Sequence, residues 1–294
     1  MKALVIAENG DAARFLAAGA RSLADQVVLA FLGDAPLGIA DKAYSIKVPE
    51  NAVVDDAYLT VKSRYDIESP DVVLAEPTRH VKSVVGRLAA YADTAVITDA
   101  TAFAGEAAKS LYFGGVGERV RKNSGPIGFY TMDPNLFQDA DISGTDVVEE
   151  LAWITPERSL TLVSSRKRDK SGEDLSKADV VVAAGRGFAE ESDLELARNL
   201  ADKLGGALAC SRPLTEGVSW LPSDTYIGVS GLMLAPKIYV ACGISGQMQH
   251  MVGCNRSGTI FAINKDKNAP IFKQCDLGLV GDVKNVIPAI VAAL

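Results

Sequence analysis

The stretch KIYVACGISGQMQHMVG, Lys237 to Gly253, decides the fold. Ile238, Tyr239 and Val240 are β-branched or aromatic and suit the interior of a buried strand. That strand runs into Gly243-Ile244-Ser245-Gly246, a turn in which two glycines and a serine let the backbone approach an anion closely. A helix opens at Gln247, and its N-terminus supplies partial positive charge. A strand, a glycine turn and a helix in that order belong to an open parallel sheet, where ligands lie at the carboxyl ends of the strands.

The same unit recurs on either side. LVIA, an Ala/Leu helix near Ala12 to Leu23, VVLAFL, a helix around Asp55 to Arg64, VVLAEP and a helix around Val81 to Tyr91 alternate along the first part of the chain. After AVITDA the character changes: KSLYFGGVGERVRKN and GPIGFYTMD place glycine-rich turns between short strand-like runs, as an antiparallel excursion would. Ser164 to Asp179, SSRKRDKSGEDLSKAD, has almost no large apolar residue and dense charge of both signs, which marks a linker. Beyond it come DVVVAAG, a helix from about Glu191 to Leu204, KIYVACG, a short helix after Gly246, TIFAIN and a closing helix from about Val283 to Ala293. The pattern predicts an α/β protein of two doubly wound, Rossmann-like domains with mainly parallel sheets, residues 1–168 and 169–294, the first carrying the antiparallel excursion.

Composition narrows the function. A chain of 294 residues with 48% hydrophobic and 23% charged residues is long enough for two buried cores. The net charge of −7 opposes a nucleic-acid partner, because phosphate neutralisation needs a basic surface. No apolar run reaches the length of a bilayer span, and the N-terminus MKALVIAENGDAARF reads as a first strand rather than a signal peptide, so a cytoplasmic protein without membrane insertion is expected. Cys210, Cys242, Cys254 and Cys275 form no CxxC pair and are expected as reduced thiols; with His80 and His250 the only histidines, no metal site is expected. No Gly-x-Ser-x-Gly elbow, Walker loop or Gly-x-Gly-x-x-Gly loop is present, which leaves the common hydrolase, P-loop and dinucleotide dehydrogenase readings without their motifs.

A Gly-x-x-Gly turn alone more often reverses the chain than binds phosphate. Gln249 and His250 strengthen the binding reading, because their amide and imidazole groups can turn back toward whatever the loop holds. A solitary histidine in a short helix is otherwise a packing residue.

The segment IYVACGISGQMQHMVG, followed by TIFAINKDKNAPIF and CDLGLVGD, resembles the C-terminal signature of the electron-transfer flavoprotein α-subunit family. The likeness extends upstream through VVVAAGRGF and ALACSRPLTEG, and more loosely through KALVIAE and AVITDAT. It implies FAD laid across the second domain, lined by Arg186, Ser211, Arg212, the turn Ile227, Gly228, Val229 and Ser230, then Ser245, Gly246, Gln247, Met248, Gln249 and His250, and finally Asn264, Asp282 and Val283. It implies no substrate chemistry of the chain's own. The expected role is a redox carrier paired with a β subunit, taking electrons from an acyl-CoA-type dehydrogenase, as in fatty acid β-oxidation, and passing them to a quinone-, ferredoxin- or reductase-type acceptor.

Within that resemblance Arg212 would lie against the isoalloxazine, Ser230 would bond its N5 or O4, and His250 would favour negative charge at the O2 edge. Gly243, Ser245 and Gly246 would serve the ribityl–pyrophosphate region, and Asn264 and Asp282 the adenosine hydroxyls. Each has a plainer reading: Asn264 and Asp282 as turn and cap residues, Arg186 as a solvated turn residue. Arg212 at a strand end calls for an anionic or aromatic neighbour. The family's usual Gly-Gln-Thr-Gly-Lys reads here Gly228-Val229-Ser230-Gly231-Leu232, keeping a hydroxyl and losing an amide and a cation; this resembles the branch tied to anaerobic or specialised acyl-CoA metabolism. A nucleotide-binding regulatory or scaffolding module using the same strand-end cleft is the alternative, and a third possibility is a structural partner whose redox flavin resides elsewhere.

Overall fold

The computed structural model describes residues 1–104, 107–113, 117–145, 147–165 and 174–294. The chain divides into two compact units, one made of Met1–Tyr112 and the residues from Gly117 up to the segment 166–173, the other of Phe113 and the residues that follow that segment. The boundary expected at 168/169 lies outside the described residues.

The first unit comprises β1 (Lys2–Ala7), α1 (Gly10–Arg21), β2 (Gln26–Phe31), β3 (Lys42–Ile46), α2 (Tyr58–Glu68), β4 (Val72–Ala75), α3 (Arg79–Tyr91), β5 (Val96–Ala104), β6 (Ala107–Tyr112), β7 (Gly117–Lys122), β8 (Gly128–Met132) and β9 (Val147–Leu151). Its nine strands order as β7-β6-β5-β8-β4-β1-β2-β3-β9. β1 shows why the strands are apolar without alternation: Ala3, Val5 and Ala7 enter one core while Leu4 and Ile6 enter the other, so both faces are covered. α3 presents Val81, Val84, Val85 and Leu88 on one helical face, and Thr78 caps it by accepting from the Val81 N–H at 3.2 Å.

The antiparallel excursion is narrower than GPIGFYTMD suggested. Among the described strands, β5–β6 and β6–β7 are the antiparallel pairs. β8 lies inside the sheet, parallel to both β4 and β5. Phe129 faces one core, and Tyr130 and Met132 the other; a strand apolar on both faces is buried best in the sheet interior.

The second unit comprises β10 (Val180–Ala184), α4 (Leu194–Lys203), β11 (Ala207–Ser211), β12 (Tyr226–Ile227), β13 (Ile238–Cys242), α5 (Met248–Met251), β14 (Thr259–Asn264), β15 (Leu277–Val280) and α6 (Val283–Ala293). Its six strands order as β12-β11-β10-β13-β14-β15, all pairs being parallel. Counted from β10 this is the doubly wound order 3-2-1-4-5-6, whose direction of winding reverses between β10 and β13. Here Ala184 pairs with Cys242, and the turns leaving the two strands start side by side.

Candidate functional site

The two turns at the reversal meet so closely that only glycine fits. Gly185 N–H donates to the Cys242 carbonyl and Gly187 N–H to the Gly243 carbonyl, both at 2.9 Å. A Cβ on Gly243 would stand 2.7 Å from the Gly187 Cα, and Gly243 has φ +66°, a conformation that other residues rarely adopt. A third turn joins from β12. Gly228, at φ +148°, passes the Gln249 carbonyl so closely that a Cβ would approach it to 2.7 Å, and the Val229 N–H donates to the same carbonyl at 2.8 Å. The turn after β12 is thereby tied to α5.

Above these turns opens a cleft of about 780 Å³. Arg186, Ser211, Arg212, Ile227, Gly228, Val229, Ser230, Ser245, Gln247, Gln249, His250, Asn264, Asp282 and Val283 all line it. Gly246 and Met248 stand apart from its walls. Gly246 is packed on Ile271, and Met248, the first residue of α5, is 36% exposed. The walls also include Tyr226, Lys265 and Asp266, which sequence reasoning passed over. Lys265 and Asp266 directly follow Asn264 at the end of β14, so the strand-end rule that singled out Asn264 reaches them too.

Several lining residues hold the cleft's shape. The Asn264 amide donates to the Ile244 carbonyl at 2.8 Å, and its Oδ1 accepts the Asp266 N–H at 2.9 Å. Asp282 caps α6, accepting from the Lys284 N–H at 2.9 Å. The Tyr226 hydroxyl donates to the Ser230 carbonyl and pins that turn. The neighbour expected for Arg212 proves to be in the chain itself: its Nε donates to Glu216 Oε2 at 2.6 Å, a contact that raises the guanidinium pKa further. The Arg212 side chain is 60% exposed, so it reaches the cleft without the desolvation cost its position suggested.

His250 is the exception, 8% exposed and set behind the turns. Its Nε2 lies 2.7 Å from the hydroxyl of Tyr239, which is wholly buried on β13. Its Nδ1 is buried with no hydrogen-bond partner of ordinary geometry, although the Ile227 backbone is close enough to favour a proton on the ring. Burial pushes the imidazole pKa down to about 4. At neutral pH His250 is therefore uncharged, and any help it gives to negative charge comes from a hydrogen bond rather than from an imidazolium. Burial likewise pushes the Cys242 and Cys254 thiols up to about 12, which keeps them protonated and unreactive.

Residues 174–255 match the family described as electron transfer flavoprotein FAD-binding domain, and residues 3–153 match electron transfer flavoprotein domain. Protein FixB of Escherichia coli O81 is 37% identical over 294 residues, an alignment covering 94% of this chain and 92% of that one. Protein FixB of Shigella dysenteriae serotype 1 is 36% identical with the same coverage. This chain belongs to the electron transfer flavoprotein α-subunit family. An electron-transfer flavoprotein role follows for it. The FAD-binding family match reaches from before β10 to just past α5, so within this flavoprotein α chain it contains the three glycine turns that form the cleft floor. Among the described residues no helix is long and apolar enough to cross a membrane.

Proposed function

We propose that the second unit of this electron transfer flavoprotein α chain holds FAD in the cleft. Paired with a β subunit in the cytoplasm, the chain carries electrons from an acyl-CoA-type dehydrogenase to a quinone-, ferredoxin- or reductase-type acceptor. One observation above the others supports the reading: the cleft of about 780 Å³ opens at the winding reversal of a six-stranded parallel sheet and has Arg186, Arg212 and a buried imidazole on its walls. Its volume sits in the upper part of the ~300–1,000 Å³ range of ligand pockets, which suits a dinucleotide. The donor set suits it as well. Glycine turns expose backbone N–H groups to phosphate, and the imidazole of His250 adds a buried polar group to the cleft wall.

A bound flavin supplies the capacity to take up and release electrons singly or in pairs. The chain's own part is to hold and polarise. Arg212, kept in place by Glu216, sets a permanent positive charge at the cleft. Ser230 offers a hydroxyl on a turn fixed by Tyr226, and His250 offers a neutral donor from a site closed to water. Arg186, Gly243 and Ser245 would serve the anionic portion of the ligand, and Asn264 and Asp282 its adenosine end.

Anaerobic reductive titration of the chain co-expressed with its β-type subunit tests this. A yellow complex whose flavin bleaches on reduction is the expected outcome. A colourless complex that cannot be reconstituted with FAD but binds adenine nucleotides would replace the carrier with a nucleotide-binding module.

A further inference from the structure

Tyr239 stands off the cleft walls, yet among the described residues its hydroxyl, 2.7 Å from Nε2, is the one side chain that hydrogen-bonds the His250 ring. The phenol is enclosed by the sheet and by buried thiols: Cys254, whose Sγ lies 3.9 Å from the His250 carbonyl, and more distantly Cys242 and Cys210. Burial raises the Tyr239 pKa well above its ordinary value, so the phenol keeps its proton. A phenol has one proton to give, and the lone pair of a neutral imidazole is a better acceptor than the oxygen of a phenol. The Cys254 sulfur is also within reach of the phenol while its thiol donates to the His250 carbonyl, but a thiol sulfur is a weak acceptor, and the imidazole nitrogen at 2.7 Å is the stronger one for the Tyr239 proton.

We propose that Tyr239 is a positioning residue: by donating to Nε2 it holds His250 as the Nδ1–H tautomer, so that this residue of the cleft wall carries a neutral donor beside the Ile227 backbone rather than a lone pair. The inference deepens the flavin reading and rests on it for its consequence, but the tautomer itself is a property of the flavin-free chain. A hydrogen bond to the ring's far nitrogen decides which proton the near nitrogen carries, as in other sites where a histidine is oriented from behind. Without it the Nε2–H tautomer competes, and that tautomer leaves a lone pair on Nδ1 at the cleft wall. Against a flavin gaining negative charge, that lone pair repels where the N–H attracts.

The test is a long-range nitrogen–proton NMR spectrum of the full, flavin-free chain labelled with ¹⁵N-histidine at neutral pH. His80, in the other unit, is the internal control, and His80→Gln assigns the two rings. His250 is expected as Nδ1–H. In Tyr239→Phe the ratio of Nδ1–H to Nε2–H falls about fivefold or more, the worth of one ordinary hydrogen bond, while His80 is unchanged. An Nε2–H ring in the unmodified chain overturns the proposal whether or not the variant folds, and so does an unchanged ratio in the variant. In the flavin-loaded two-subunit complex, Tyr239→Phe moves the flavin potential in the negative direction, and the shift disappears in a His250→Ala background. An equal shift in both backgrounds assigns Tyr239 a packing role only. Failure of the complex to hold flavin defeats the functional reading while leaving the tautomer result standing.

Discussion

The two units share a winding plan and differ at the point where it reverses. In the second unit the reversal between β10 and β13 is floored by glycines and open above. In the first, the corresponding place between β1 and β4 is filled by the unit's own Glu76, which is 4% exposed. Its carboxylate accepts the Glu8 N–H at 2.8 Å, the Asn9 N–H at 3.1 Å and the Asn9 side-chain amide. These backbone groups precede the N-terminus of α1, the position at which an open unit of this plan would receive a ligand's phosphate. A carboxylate from β4's end thus occupies the anion position in one unit, and glycine turns leave it free in the other. The same winding plan is closed by a side chain in one case and left open as a cleft in the other, and what separates them is side-chain chemistry at two strand ends.

The largest expected effect follows from removing the space in the open unit. Gly243→Ala places a Cβ 2.7 Å from the Gly187 Cα on a backbone with φ +66°. Strain and overlap together cost about 3–5 kcal/mol. Trp220 packs on the second unit's core and Trp153 on the first's, so urea unfolding read at each tryptophan separates the units. The Trp220 transition should move to lower urea with flavin lost, and an unmoved Trp220 midpoint would show that the turns can part without cost.

The closed unit is broken from its own plug. Glu76→Ala leaves the Glu8 and Asn9 N–H groups without their acceptor and should lower the first unit's stability by about 2–4 kcal/mol. Glu76→Gln, which retains an acceptor oxygen, should cost about half as much. If the alanine variant unfolds at the same urea concentration, water satisfies those amides and the carboxylate is no plug.

Acid separates the units further. His250 has its folded pKa depressed to about 4 from 6.5, so the unfolded chain binds a proton that the folded unit refuses between these values. Stability of the second unit is complete above about pH 6.5 and falls as pH drops toward 4, by a total on the order of 3 kcal/mol. In the first unit burial pushes the Glu68 carboxyl up, but hydrogen bonds from Tyr44, Lys2 and Lys42 outweigh burial and bring it down to about 2 from 4.5. Its contribution is present above about pH 4.5 and lost as pH falls through 2. Between pH 6.5 and 5 the Trp220 midpoint should therefore fall while the Trp153 midpoint holds. Midpoints that move together over that interval would remove His250 as the cause.

Much of this contrast was legible in the sequence, and the rest was hidden for physical reasons. Alternating β-branched runs and amphipathic helices marked β1, β2, β4, β10, β13 and β14 and the helices between them, because periodicity is a local property. β3 and β9 carry no such marker, and the sequence of β8 has the character of the excursion, because sheet order depends on which faces are covered and no local pattern states that. The glycine turn Gly243–Gly246 declared itself, whereas the Glu76 plug did not: an acidic residue after a strand looks the same whether it faces water or two buried amides. Tyr239 read as an ordinary strand residue, since its partner lies 11 positions away and only the packing of α5 brings them together.

The smallest effect sharpens the comparison from the other side. Gly10 opens α1 next to the plug, as Gly185 and Gly187 open the turn in the second unit, but its circumstances differ. A Cβ on Gly10 meets nothing within 4 Å, and its φ is not positive. No neighbouring backbone among the described residues requires that glycine, so alanine there reduces only the freedom of the unfolded chain. Gly10→Ala should raise the Trp153 unfolding midpoint by the equivalent of about 0.4–1 kcal/mol. Gly187→Ala should lower the Trp220 midpoint, because its Cβ would stand 2.5 Å from the Gly243 Cα. Opposite signs for the same substitution at the two strand ends would show that glycine is a structural requirement where the sheet opens to a ligand and dispensable where a carboxylate has closed it. A loss of stability in Gly10→Ala would instead mean that the first unit's reversal needs close backbone approach as well.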